Sequence, residues 1–219
     1  MKLHATAIWD LPTRLFHWAL VGLIAFSYAS ASVGGLMLRY HLWSGYCVLT
    51  LVLFRLMWGV VGGEYARFAQ FVRGPRAVLA ALPSLLNKRA LAGGGHNPLG
   101  GWMVLALLVV LLVQAGTGLF ANDDILTEGP LYAHVSKDLS DQLSAYHALN
   151  FVLLLGLVSV HILAIGWHRW RKDEALTLAM VTGRKYLPLA SAPARVASRW
   201  RALLVLGIAA GLVVGIVNW

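Results

Sequence analysis

The chain has 219 residues, of which 59% are hydrophobic and 12% are charged, whereas soluble proteins carry about 25% charged residues. This balance excludes an ordinary soluble domain and predicts an all-α integral membrane protein. The net charge of +9 is not accompanied by a nucleic-acid-binding module, so we expect no nucleic acid partner.

Five apolar stretches are long enough, at roughly 20 residues each, to cross a bilayer as helices. They cover about residues 15–34, 41–61, 100–120, 147–167 and 202–218. Segment 64–98 is interrupted by Pro75 and Pro83 and predicts one or two short helices on the membrane surface. The 121–146 loop is expected to be rich in turns.

The organisation expected from these spans is a single membrane domain over residues 1–219. Its four-helix bundle covers about residues 8–186, and an extra C-terminal transmembrane helix covers about 202–218. Gly207, Gly211 and Gly215 recur every four residues on that last helix and predict close packing through the glycine face.

Most of the 18 Lys and Arg residues lie before the first span and in the 62–98 and 168–201 segments, whereas the 121–146 loop is mainly acidic. Basic loops stay on the cytoplasmic side, so the N-terminus is expected to be cytoplasmic and the C-terminus outside. Tryptophans near the span ends, Trp58 among them, are expected in the interfacial aromatic belts.

Four histidines fall at two matched depths of this arrangement. His17 and His161 lie toward the cytoplasm, and His41 and His147 lie toward the outside. His147 and His161 are fourteen residues apart, which puts them on one side of a helix about 21 Å apart along its axis. Two separate pairs are therefore predicted, one near each membrane face.

A pair of imidazoles from facing helices is the axial ligand set of a b-type haem, whereas zinc or copper needs three or four ligands close together. The histidine pattern thus predicts two haem b groups. Arg55 follows His41 by fourteen residues, so it either binds a haem propionate or snorkels to the surface. Arg14 is a weaker propionate candidate.

Glycines in the second and third spans would let a flat group approach the helix backbone, although glycine is common in membrane helices. They are Gly45, Gly59, Gly116 and Gly118. His168 and His96 are expected at the membrane interface, exposed to solvent or headgroups.

Several motifs together resemble the bacterial cytochrome b-561 family, which includes the b-type cytochrome subunits of nickel-iron hydrogenases. They are "WDLPTRLFHW", "FRLMWGVVGGEYARFAQFVRGP", "GHNPLGGWMV", the spacing of His147 and His161, and "MVTGRK". The resemblance implies four core helices, with His17 and His161 on a cytoplasmic-side haem and His41 and His147 on a periplasmic-side haem. Asn97 looks like the counterpart of a quinone-site Asn in related formate dehydrogenase subunits, or else caps a helix.

The resemblance implies a respiratory electron-transfer subunit in the bacterial inner membrane, crossing it several times. Its partners would be the quinone pool and a periplasmic dehydrogenase, hydrogenase or c-type cytochrome, docked on the acidic 121–146 loop and the 35–40 turn. One alternative is a stand-alone quinone-linked oxidoreductase such as a superoxide oxidase, which the acidic outer face disfavours. Another is a metal or proton transporter that uses the histidines as a relay.

Overall fold

The computed structural model describes residues 4–85, 95–187 and 197–219, and five of its helices are long and apolar enough to cross a membrane. These are α1 (Leu11–Val33), α2 (Leu38–Val61), α5 (Pro98–Gly118), α6 (Lys137–Lys172) and α8 (Arg199–Val217). The prediction of five spans in an all-α membrane protein is therefore confirmed.

The connections contain short elements, as predicted for the 64–98 segment. They are α3 (Phe68–Phe71), α4 (Pro75–Ala81), α7 (Leu176–Thr182), β1 (His4–Ala7) and β2 (Arg184–Leu187), with 3₁₀ turns at Gly35–Met37, Glu64–Ala66, Leu82–Leu85 and Tyr132–His134.

Helix α6 is much longer than the predicted 147–167 span. It has 36 residues and begins at Lys137. At about 1.5 Å per residue it is roughly 54 Å long, well beyond the ~30 Å hydrocarbon core. Ser136 starts it, since its Oγ accepts the N–H of Leu139 at 3.3 Å. The 121–146 segment is therefore only in part a loop, and its last ten residues are helical.

The N-terminus of α1 is fixed by Asp10 of the "WDLPTR" motif. Its Oδ1 accepts the backbone N–H of Thr13 at 2.9 Å, which is an N-cap, and its Oδ2 accepts the indole N–H of Trp58 at 3.1 Å. Trp58 is fully buried, so the expectation of an interfacial position was wrong for this residue. Its indole has an internal acceptor and needs no interfacial water.

A two-stranded antiparallel sheet connects the segment before the "WDLPTR" motif with the end of the "MVTGRK" motif. The sequence did not predict this sheet. Strand β1 pairs with β2 in the register His4 to Leu187 and Ala7 to Arg184. Gly183 precedes β2 with φ of 80°, and its carbonyl accepts the N–H groups of Ile8 and Trp9 at 2.8 and 3.2 Å. A Cβ at Gly183 would lie 2.8 Å from the Trp9 carbonyl oxygen, so only glycine fits here.

The chain divides into two compact units whose boundaries pass through the long helices. The first contains Met1–Leu15, Leu56–Ala106 and Leu157–Ala202, and the second contains Phe16–Arg55, Leu107–Gly156 and Leu203–Trp219. Trp58 and Phe71 are buried in the first unit, and the second has a core of Leu49, Leu119, Leu131 and Val213.

Helix α8 does not pack through its glycines. Its buried residues are Ala202, Val205, Ala209 and Val213. Gly207, Gly211 and Gly215 lie on the exposed side, where an added Cβ would meet no heavy atom of the described chain within 4 Å. The expectation of packing through the glycine face was wrong. Val205, Ala209 and Val213 are buried instead, and each of them lies two positions before one of the glycines.

Candidate functional site

His41 of α2 and His147 of α6 come together in the second unit. Their ring centroids are 6.0 Å apart and their ring planes are nearly perpendicular, at 83°. Both rings are half-buried, so they are partly shielded from the surroundings. The structure thus brings together two histidines that the sequence paired by depth.

Each of the two rings is oriented by a backbone carbonyl through its Nδ1 atom. His41 Nδ1 lies 2.9 Å from the carbonyl oxygen of Ser27 on α1, and His147 Nδ1 lies 2.9 Å from that of Gln114 on α5. A carbonyl only accepts, so Nδ1 carries the proton in both rings. In a neutral imidazole this leaves the Nε2 lone pair available to bind a metal ion.

Polar side chains surround these two contacts. The hydroxyls of Ser27 and Thr117 lie 3.1 and 3.3 Å from the Nδ1 atoms of His41 and His147, respectively. Asn150 is one turn beyond His147 and donates to the side-chain oxygen of Gln114 at 2.7 Å. Ser27, Gln114 and Asn150 were not among the residues predicted for the site, although polar residues inside apolar spans were a usable signal.

The separation of the two rings suits a single metal ion between them. A metal–imidazole bond is about 2 Å and the bonded nitrogen is about 1 Å from the ring centroid, so opposite ligands have centroids about 6 Å apart. The ring separation is therefore compatible with His41 and His147 as the two residues that would hold one haem iron.

Two glycines of the second and third spans have room around them, and two do not. A Cβ added at Gly45, one turn beyond His41, or at Gly116 would meet no described heavy atom within 4 Å. At Gly118 it would lie 3.0 Å from His147 Cε1, and at Gly59 it would overlap the Phe68 ring at 2.0 Å. Gly45 and Gly116 thus leave open space, whereas Gly118 borders His147 and the space at Gly59 is filled by the Phe68 side chain.

His17 and His161 fall in different units, so their pairing stays a prediction. His17 lies on α1 in the second unit, with its ring edge-on to Trp18 at a centroid distance of 4.9 Å. His161 is half-buried on α6 in the first unit. Because α6 is uninterrupted, His147 and His161 are about 21 Å apart along its axis.

The two arginine candidates differ in their surroundings. Arg55 is buried with 3% of its surface exposed, so the alternative that it snorkels to the surface was wrong. Arg14 has a protein acceptor, because its Nη1 donates to the carbonyl oxygen of Val181 at 2.5 Å. Arg14 therefore contacts the last turn of α7. A propionate role for either arginine stays a prediction.

Asn97 caps helix α5, as one of its two expected roles required. Its Oδ1 accepts the N–H of Gly100 at 2.7 Å. His96 was expected to face the headgroups, but its ring is half-buried and packs against the rings of Trp9 and Phe71 at centroid distances of 4.6 and 4.8 Å. The flat ring of His96 completes an aromatic cluster, which removes most of it from the surface.

His168 was also expected at the interface, and it is buried instead. Its Nδ1 lies 2.7 Å from Glu174 Oε2, and Lys185 Nζ lies 3.2 Å from Glu174 Oε1. Burial opposes ionisation of Glu174, but the hydrogen bond from His168 and the charge of Lys185 outweigh it and hold the pKa of Glu174 below its ordinary value. The carboxylate gives His168 a partner inside the protein, which the sequence separation of six residues did not reveal.

The fold and the histidine pair define a helical membrane protein suited to holding a haem between α2 and α6. The family model described as prokaryotic cytochrome b561 matches residues 8–183, and the chain belongs to that family. It is therefore a membrane cytochrome that binds haem b and transfers electrons. No curated protein and no solved structure gives a significant match.

Proposed function

We propose that this cytochrome binds two haem b groups and carries electrons between the quinone pool and a periplasmic redox partner. His41 and His147 hold one haem and His17 and His161 hold the other. The observation that carries the proposal is the donation from Nδ1 of both His41 and His147 to backbone carbonyls, which presents two Nε2 lone pairs at a suitable ring separation.

The proposed orientation places the N-terminus and the α3–α4 and α7 segments in the cytoplasm of a bacterium, with the protein in the inner membrane. The concentration of Lys and Arg in these segments supports it. The loop between α5 and α6 is then periplasmic, and the His41 and His147 pair serves the periplasmic half of the electron path.

Each residue of the site has a separate task. The carbonyls of Ser27 and Gln114 fix the orientation and tautomer of the two imidazoles. Haem, when bound, supplies a one-electron couple that the polypeptide lacks. Arg55 is a buried cation on the α2 face of His41 and is suited to neutralise a haem propionate.

A quinone site is proposed beside the start of α5, at Asn97 and the aromatic cluster of His96. Asn97 uses its side-chain oxygen to cap the helix, so its amide N–H groups are the part that would reach a quinone oxygen. Trp9 and Phe71 offer flat apolar surfaces next to it.

The proposal is tested by counting haems in the purified protein with a pyridine haemochrome assay and a reduced-minus-oxidised spectrum. Two b haems per chain are expected, and His147→Ala and His161→Ala should each remove one haem of different midpoint potential. His134→Ala is the control, because His134 is exposed and its ring lies beside Trp219 at a centroid distance of 5.6 Å, so both haems should remain. A wild-type protein with one haem or none would refute the two-haem assignment.

A further inference from the structure

The loop between α5 and α6 carries two apolar side chains that point away from the protein. Ile125 is 90% exposed and Leu126 is 71% exposed, and we call this pair the docking knob. Two adjacent exposed aliphatic residues beside the acidic side chains of this loop leave apolar surface in water, which costs free energy unless something covers them.

The docking knob is held in place by Asp123. One carboxylate oxygen of Asp123 accepts the N–H groups of Ile125, Leu126 and Thr127 at 3.0, 2.9 and 2.8 Å. The donors at Thr127, Leu126 and Ile125 lower the pKa of Asp123 to about 2, so the carboxylate stays charged. A surface fixed in this way loses little conformational entropy when it binds a partner.

The base of the loop is tied to α6 and to the histidine site. Asn122 Nδ2 donates to Ser140 Oγ at 2.6 Å and to Asp141 Oδ1 at 2.9 Å. The two ends of the loop also meet, because Leu131 N–H donates to the carbonyl of Leu119 at 2.8 Å. Leu119 follows Gly118, the residue that borders His147, so a partner on this loop would lie next to the segment that contacts a proposed haem ligand.

The surroundings of the docking knob are negative. Acidic side chains at this end of the second unit are Asp123, Asp124, Glu128, Asp138 and Asp141, and Lys137 is the basic residue between them, paired with Asp124 and Asp141. Apolar residues that enter a membrane surface are normally flanked by Lys and Arg, because lipid headgroups are often anionic. An acidic surround therefore favours a protein partner over the bilayer.

We propose that the docking knob is the binding site for a basic c-type cytochrome, with Ile125 and Leu126 covering the apolar patch at its haem edge and the acidic residues facing its lysines. This assignment rests on the proposed function, because it places the loop in the periplasm. It narrows the partner from the dehydrogenase, hydrogenase or c-type cytochrome expected from the sequence to a positively charged c-type cytochrome with an apolar contact surface.

Binding is measured with the full-length protein as purified, whatever its haem content, in nanodiscs of uncharged phosphatidylcholine, with mitochondrial-type ferric cytochrome c as the probe. Wild type should bind saturably at low ionic strength, and binding should weaken as salt is added. The Ile125→Ser and Leu126→Ser double variant should bind about tenfold more weakly, since central apolar contacts dominate such interfaces. Glu128→Gln should weaken binding less and lower its salt dependence.

Leu79→Ser is the matched control, because Leu79 is a 64% exposed leucine of α4, a segment without acidic residues that the proposed orientation places on the cytoplasmic side. It should bind cytochrome c as wild type does. Equal binding by the double variant would overturn the proposal, and so would equally tight binding of an acidic c-type cytochrome.

A second readout separates a protein partner from the lipid surface. Leu126→Cys in a Cys47→Ala background should react with a membrane-impermeant thiol reagent in nanodiscs, and saturating cytochrome c should protect it. Protection before cytochrome c is added would mean that the docking knob lies in lipid and would overturn the proposal. Binding does not require electron transfer, so a failed haem count would refute the proposed function without affecting this result.

Discussion

Replacement of Gly118 by Val should remove the haem held by His41 and His147 while leaving the helices in place. A Cβ at Gly118 lies 3.0 Å from Cε1 and 3.2 Å from Nδ1 of His147, whereas carbon atoms in ordinary contact are about 3.5–4.0 Å apart. The ring must therefore shift by roughly 0.5–1 Å, and its 2.9 Å contact with the Gln114 carbonyl would be lost.

The size of this effect follows from two contributions. A lost hydrogen bond costs about 1 kcal/mol, and overpacking of a filled site costs about 1–3 kcal/mol. Together, about 2–4 kcal/mol would weaken the affinity for this haem roughly 30- to 1000-fold. The side chains of Val and Gly differ only in apolar volume, so no new charge or hydrogen bond complicates the comparison.

The assay is titration of haem into the apo-protein in detergent, followed by a potentiometric redox titration. Gly118→Val should bind one haem with wild-type affinity and lose the other, while Gly156→Val should bind both. Gly156 is an exposed glycine of α6, where an added Cβ meets no described heavy atom within 4 Å. Full wild-type loading of Gly118→Val would refute the assignment of His147 as a ligand oriented by Gln114.

Gly45→Val should weaken binding of the haem held by His41 and His147. The near-ultraviolet circular dichroism of the apo-protein should not change, because a Cβ at position 45 enters open space. Wild-type haem affinity would show that haem does not use this space. Asp10→Ala should destabilise the protein by about 2 kcal/mol in thermal unfolding, because the α1 cap and the acceptor for Trp58 are both lost. Asp10→Asn should recover part of the lost stability. Equal melting temperatures of wild type and Asp10→Ala would contradict the capping role. Glu174 has a lowered pKa, so its contribution to stability is present above the unfolded pKa of about 4.3 and is lost as the pH falls through the folded value. Glu174→Gln should melt below wild type at pH 7 and show a smaller loss of melting temperature on acidification; an unchanged pH profile would argue against the buried carboxylate.

The spans and the histidine spacing were predictable because both are periodic features of one segment. Apolar length alone locates helices such as α5, and a spacing of fourteen residues fixes the relative orientation of His147 and His161 along one helix. Pairing of His41 with His147 required only the depth of each residue in the bilayer, and the structure brings these two rings together.

The features that the sequence did not reveal depend on contacts between distant segments. Six of the first ten residues of α6 are polar or charged, so apolar length could not identify this stretch as helix, although Ser136 is a capping residue. The pairing of β1 with β2 joins residues about 180 positions apart and has no local signal. His168 was misplaced for the same reason, because its burial depends on the turn that brings Glu174 back to it.

The same short stretch of chain orients a proposed haem ligand and begins the proposed docking loop. Gln114 directs His147 through its carbonyl, Gly118 sets how closely α5 approaches that ring, and Leu119 starts the loop that presents Ile125 and Leu126. A partner bound at the docking knob would therefore be connected to the ligand through few covalent and hydrogen-bonded steps. Substitutions in the knob should change binding without changing the midpoint potential, whereas Gly118→Val should change the haem without changing the knob, because Asp123 fixes the knob through local bonds alone.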